Sequence, residues 1–235
     1  MPETVESKID DVIVRRNRAG LDSSIAAIYT EGIKFKLKAS RYCLYQIKRL
    51  EFQPDTPAAN TGATGVPAPI FITRLEELAI YTEHFWNSMR SCFDLIGQLI
   101  NITESLGKDE KNIDIKQIYQ AIKTPPISNP QLVKALQESL DNLYFKDLES
   151  YRHCISHRRP ICIQTYTTQT VVSQTAGYYV SGSTAAPARV ERYLCINPSS
   201  LAPRIIRGKR PIGKYCDSMY ERLEFRVSRI IGQLR

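Results

Sequence analysis

Residues 75–100, LEELAIYTEHFWNSMRSCFDLIGQLI, decide the fold class of this chain. Their apolar side chains recur every three or four residues, which is the spacing of one face of an α-helix. The apolar positions are Leu75, Leu78, Phe85, Met89, Cys92, Phe93, Ile96, Leu99 and Ile100. A helix is therefore expected from about residue 70 to residue 106, just before Gly107.

Helical spacing continues through most of the remaining sequence. Helices are predicted at about residues 3–18, 22–52, 114–123, 129–139, 141–157 and 213–234. The apolar stripe of the second of them comprises Ile25, Ile28, Tyr29, Ile33, Leu37, Leu44, Ile47 and Leu50. Residues 161–196 differ, because they are rich in β-branched and aromatic residues, which predicts two or three strands. The predicted fold class is mainly α: an up-down helical bundle of four to five helices with a small β-strand insertion before the C-terminal helix.

One domain is predicted over residues 1–235, because 43% of the residues are apolar and can form a sizeable core. Residues 54–69 are small, polar and proline-rich, which predicts a mobile loop. No stretch approaches the roughly 20 apolar residues that cross a bilayer, and no signal peptide is visible. Six cysteines lack the paired spacing of a zinc site, so reduced thiols are expected. We therefore expect a cytoplasmic protein that has no membrane partner.

The net charge of +8 is concentrated at the C-terminal end of the chain. Residues 204–235 contain nine Lys or Arg and three Asp or Glu, a net charge of +6. Basic segments favour polyanionic partners, because contacts with phosphates supply most non-specific affinity for nucleic acids. They also occur as exposed helix faces that keep a protein in solution, and charge alone leaves both interpretations open.

The strongest functional signal is the hexapeptide RHCISH, residues 152–157, at the end of the predicted helix 141–157. It holds two of the three histidines, and two further arginines follow it. An Arg side chain can bind a phosphate through two parallel hydrogen bonds. A His side chain titrates near neutral pH, so it can accept a proton from a ribose 2′-OH or donate one to a leaving 5′-oxygen. These residue types therefore point to phosphodiester chemistry.

The spacing of the motif also bears on how its residues act together. At about 100° per residue, Arg152 and His157 point roughly 140° apart on an unbroken helix, whereas His153 and His157 share a face. A two-fold dimer that brings two such helices together would place two Arg and two His in one cleft. The sequence therefore favours a homodimer.

The Arg-x4-His spacing, with a polar residue after the Arg and two long helices before the motif, resembles the signature of the HEPN superfamily. That superfamily is all-helical, and many of its members are metal-independent ribonucleases that bury the motif between two subunits. The resemblance covers about residues 20–160; the strand-rich region departs from it. Related nucleotidyl-transferring toxins carry a Tyr two residues after the His, where this chain has Arg159, which argues against that activity.

The resemblance implies an endoribonuclease that cleaves single-stranded RNA, in a toxin or defence role, with RNA, a second copy and an inhibitor or antitoxin protein as partners. His157 is expected to act as general base or acid, Arg152 to bind the phosphate, and His153 to orient the pair or assist proton transfer. Neither a metal nor another cofactor is expected. Asp94 and Ser156 are expected to support the site. Arg158 and Arg159 are expected to bind the nucleic acid.

The sequence leaves three alternatives open. The chain could be a non-catalytic HEPN module that binds nucleotide, RNA or a partner protein. It could be a structural protein in which Arg152 bridges to Asp94 or Glu149. Metal binding by His153 and His157 would need a third ligand, such as Cys154 or Cys162, and is disfavoured.

Overall fold

The computed structural model describes residues 4–53, 73–109, 114–124, 129–157, 162–168, 189–195 and 211–234, and for residues 154–157, 162–168 and 189–195 it describes the backbone. These ranges contain seven helices and two strands. In chain order they are α1 (Val5–Arg18), α2 (Ser24–Leu50), α3 (Arg74–Thr103), α4 (Ile115–Lys123), α5 (Pro130–Leu140), α6 (Leu143–His157), β1 (Cys162–Thr168), β2 (Arg189–Cys195) and α7 (Ile212–Ile231). The predicted mainly α fold class is confirmed.

Helices α2, α3, α6 and α7 form an up-down bundle. Helix α2 runs antiparallel to α3: Leu95 lies against Gly32, whereas Glu77, earlier in α3, lies against Arg49, later in α2. Helix α3 runs antiparallel to α6, where two aromatic pairs join them in opposite chain order: Phe93 with Phe145 and Trp86 with Tyr151. Helices α1, α4 and α5 pack against this bundle.

Short polar side chains fix where the helices begin. At the start of α3, the Thr73 hydroxyl accepts a hydrogen bond from the Glu76 N–H, and the Glu76 carboxylate accepts one from the Thr73 N–H. Asp114 and Gln117 form the same reciprocal pair at α4. These caps satisfy backbone N–H groups that have no partner within the helix. Asp114 consequently holds a defined position beside α3.

The centre of the core is aromatic and joins α3 to α6. The Trp86 ring stacks on the Tyr151 ring, with ring centres 4.1 Å apart and planes 13° apart. The rings of Phe93 and Phe145 meet edge to face with centres 5.0 Å apart. All four side chains are buried, so they fix the rotation and position of α6 on α3.

Between α6 and α7 the chain forms an antiparallel pair of strands, in which Cys162 faces Cys195 and Thr168 faces Arg189. The remainder of the predicted insertion at 161–196, including a third strand at about 178–180, lies outside the described residues, as does the predicted loop at 54–69. The insertion as a whole stays a prediction. Among the described helices, none is both long and apolar enough to cross a membrane.

Candidate functional site

Two of the predicted site residues project into solvent near the end of α6. Arg152 and His153 are exposed, whereas the preceding Tyr151 is buried in its stack on Trp86. The side chains of Tyr144, Phe145 and Leu148 are buried as well, so the inner face of α6 is anchored along its length. A rigid, well-packed helix therefore presents the Arg-His dipeptide to solvent.

A buried cation lies on α3, beside Phe145 near the start of α6. The guanidinium of Arg90 on α3 is only 3% exposed and forms an ion pair with Asp94, one turn further along the same helix. Its other terminal nitrogen is 3.9 Å from a carboxylate oxygen of Asp114, the residue that caps α4. Its central carbon is 5.6 Å from the centre of the Phe145 ring on α6. Arg90 therefore ties α3, α4 and α6 together.

Asp94 is the electrostatic link between this cluster and the motif. Burial raises the pKa of Asp94 above its usual range, and the positive charges of Arg90 and Arg152 oppose that increase. The negative charge of Asp114 adds to it. The charge of Arg152 consequently acts on Asp94, although the ion-pair partner of Asp94 is Arg90. The sequence-based expectation that Asp94 supports the Arg-His site stays a prediction.

The other acid considered as a partner of Arg152 is also engaged elsewhere. Glu149 on α6 lies 2.5 Å from the ammonium nitrogen of Lys116 on α4. Arg152 takes part in none of the ion pairs found among the described residues. The ion pair that the structural alternative requires, between Arg152 and Asp94 or Glu149, is therefore not formed. The guanidinium of Arg152 is exposed and available to an anion.

The remaining predicted site residues are only partly described. Ser156 and His157 belong to α6 by their backbone, while their side chains lie outside the described part of the chain. Arg158 and Arg159 lie outside it entirely, as do the side chains of Cys154 and Cys162. Within the described ranges, no group of His, Cys, Asp and Glu side chains is arranged to hold a metal ion.

Sequence reasoning missed Arg90, Lys116 and Asp114. The spacing of Arg90 and Asp94, four residues apart, was a local signal for their ion pair. The burial of Arg90 had no such signal, because the residues that cover it come from α4 and α6.

Comparison of the chain with protein-family models, with curated proteins and with solved structures returns no match. The resemblance to the HEPN superfamily therefore stays an expectation that rests on residues 152–157 and on the helical organisation around them.

Proposed function

We propose that this protein is a metal-independent endoribonuclease that cleaves single-stranded RNA at an Arg-His site on α6. The observation that supports this proposal best is Arg152: its guanidinium is exposed, it stands on an anchored helix, and both nearby acids already pair with other cations. A permanently charged, exposed guanidinium in that position suits a phosphodiester ligand.

The proposed reaction balances without a metal. The ribose 2′-oxygen attacks the adjacent phosphorus, His157 accepts the 2′-OH proton, and the bond to the 5′-oxygen breaks as that oxygen gains a proton from His153 or from water. The products are a 2′,3′-cyclic phosphate and a 5′-hydroxyl. Arg152 binds the phosphorane transition state more tightly than the substrate, because the transition state carries extra negative charge. This difference in binding lowers the activation barrier. His153 beside it orients the phosphate or assists the proton transfer.

The wider proposal follows from the resemblance. A homodimer that pairs two α6 helices would bring Arg152 of one protomer toward His157 of the other, and Arg158, Arg159 and Ser156 would extend and support that cleft. A cytoplasmic toxin or defence role, with an inhibitor or antitoxin protein as partner, rests on family analogy.

The decisive experiment incubates the purified protein with single-stranded RNA in EDTA. We expect cleavage to 2′,3′-cyclic phosphate ends, and no cleavage of RNA in which the 2′-OH groups are replaced by hydrogen. Arg152→Ala and His157→Ala should each reduce the rate by about 100-fold or more.

Matched controls exist for both variants. Arg18 on α1 and His84 on α3 are exposed residues of the same types outside the basic C-terminal segment, and Arg18→Ala and His84→Ala should retain the wild-type rate. Folding is checked by circular dichroism. RNA binding without cleavage would overturn the nuclease proposal in favour of the non-catalytic module. An equal loss of activity in the control variants would also overturn it.

A further inference from the structure

Helix α2 exposes a row of large apolar side chains to solvent. Ile28 is 68% exposed, Phe35 is 65% exposed and Tyr42 is 55% exposed, and they follow each other at intervals of seven residues. Single exposed apolar residues are ordinary on a protein surface, but a continuous apolar row marks an interaction surface. The residues three positions before each of them complete what we call the α2 seam: Ile25, Ile28, Gly32, Phe35, Ala39 and Tyr42.

The α2 seam alternates large and small residues in a way that suits a second copy of itself. In an antiparallel pair of α2 helices centred between Gly32 and Phe35, Phe35 faces the partner's Gly32. Ile28 then faces the partner's Ala39, and Ile25 faces the partner's Tyr42. Phe35 and Ile28 therefore each meet a small residue, which favours close interdigitation, and Ile25 at the start of the helix packs on the ring of Tyr42. In a parallel pair, each residue faces its own copy, so the Gly32 layer would be left unfilled.

Gly32 is the residue of the α2 seam at which α3 lies close to α2. A Cβ atom at this position would lie 3.2 Å from a methyl group of Leu95 on α3, so the absence of a side chain lets α3 approach α2 closely. Gly32 and Leu95 are both half-buried, so each keeps part of its surface exposed beside the seam. An aromatic ring entering from a partner helix would cover both.

Charges beside the seam fit the same register. Glu31 precedes Gly32, and in the antiparallel pair it faces the partner's Lys38; the two-fold axis repeats this pair. Lys38 is exposed and takes part in none of the ion pairs among the described residues. Glu31 is exposed as well, and its ion pair with Lys34 engages one of its two carboxylate oxygens. Both partners are therefore available.

We propose that the α2 seam is the interface with a second copy of this chain, in which two α2 helices pair antiparallel about a two-fold axis. The interface lies away from the Arg-His motif. Leu95, beside the seam, and Phe93, which packs on α6, are two residues apart on α3 and so point about 160° apart. The proposal thus goes beyond the proposed nuclease function and does not depend on it.

The first test measures the molar mass of the protein in solution by analytical ultracentrifugation. Phe35→Ser should reduce the mass of the assembly by half, or by more than half where α6 pairing also links the dimers. Phe225 on α7 is 59% exposed, so Phe225→Ser is a matched control that should leave the mass unchanged. A monomeric wild-type protein, or an unchanged mass in folded Phe35→Ser, would overturn the proposal.

The second test examines the antiparallel register, through the charged pair Glu31 and Lys38 beside the seam. Glu31→Lys and Lys38→Glu each place two like-charged pairs across the interface and should raise the dissociation constant by about tenfold. Combining both substitutions restores opposite charges and should return the constant to within about threefold of the wild-type value. Lack of recovery in the double variant would overturn the antiparallel register. RNA cleavage is assayed separately with Arg152→Ala, so failure of either proposal is recognised independently of the other.

Discussion

Replacing Asp94 with alanine removes the principal counterion of a buried arginine. The Arg90 side chain is 3% exposed and that of Asp94 is 33% exposed. After Asp94→Ala, the nearest remaining carboxylate oxygen is that of Asp114, 3.9 Å from one terminal nitrogen. The guanidinium would then stay buried with one distant partner. A loss of folding stability follows from that imbalance.

The expected size of the loss can be worked from these positions. Removing one partner of a fully buried ion pair costs about 3–5 kcal/mol. Asp94 is one-third exposed and Asp114 remains nearby, so water and the second carboxylate recover part of that loss. We therefore expect Asp94→Ala to lower the free energy of unfolding by about 2–3 kcal/mol. Asp94→Asn keeps a hydrogen-bond acceptor but loses the charge, and it should cost about 1–2 kcal/mol.

Urea unfolding followed by tryptophan fluorescence measures this effect directly, because Trp86 is the only tryptophan and is fully buried. In an Arg90→Met background the cation is absent, so adding Asp94→Ala should cost less than about 1 kcal/mol. Asp10 forms a surface ion pair with Lys34, and Asp10→Ala is a matched control expected to cost less than about 0.5 kcal/mol.

Two outcomes would refute this reasoning. A cost below about 1 kcal/mol for Asp94→Ala would mean that water replaces the carboxylate without penalty. An equal cost with and without Arg90 would mean that Asp94 acts through packing and not through the ion pair.

Three further predictions follow from the charges and the core. Arg152→Ala should raise the pKa of Asp94, measured by carboxyl carbon NMR, because a nearby positive charge favours the ionised form. Folding raises the pKa of Asp94, so its contribution to folding stability is present below its usual pKa and is lost as pH rises through the pKa of the folded protein. In Arg152→Ala the pKa of the folded protein is higher still, so this loss extends to higher pH. Burial raises the pKa of three thiols, in one case to about 11, so we expect slow alkylation at pH 8 in the native protein and fast alkylation in urea, mapped by mass spectrometry. These thiols are Cys43, Cys92 and Cys216. Trp86→Ala removes the ring that stacks on Tyr151 and should cost about 3–5 kcal/mol in thermal or urea unfolding followed by circular dichroism.

Apolar periodicity predicted the helices because it is a local property of the sequence. Every predicted helix has a counterpart among α1 to α7, with boundaries that differ by a few residues. The start of α3 at Arg74, instead of about residue 70, follows from the capping pair of Thr73 and Glu76. That pair is visible in the sequence as Thr-x-x-Glu, so the boundary could have been predicted from it.

Periodicity could not separate two adjacent apolar faces on α2. Ile25 and Ile28 fall on the same predicted stripe as Ile33 and Leu37, yet the first two are exposed and the last two are buried. Which face is covered depends on where α3 and α7 lie, and that is a property of the whole fold. The exposed apolar row of α2 therefore became visible only with its neighbours in place.

For the proposed reaction, the charge of Asp94 contributes to the electric field at Arg152. A phosphate that approaches Arg152 also meets the negative charge of Asp94, which by itself would weaken binding. The ion pair with buried Arg90 offsets that charge. Arg90→Met would therefore leave Asp94 uncompensated beside Arg152. RNA binding should weaken in that variant even though Arg90 is too deeply buried to touch RNA, whereas the double variant Arg90→Met with Asp94→Asn removes the repulsion and should restore binding.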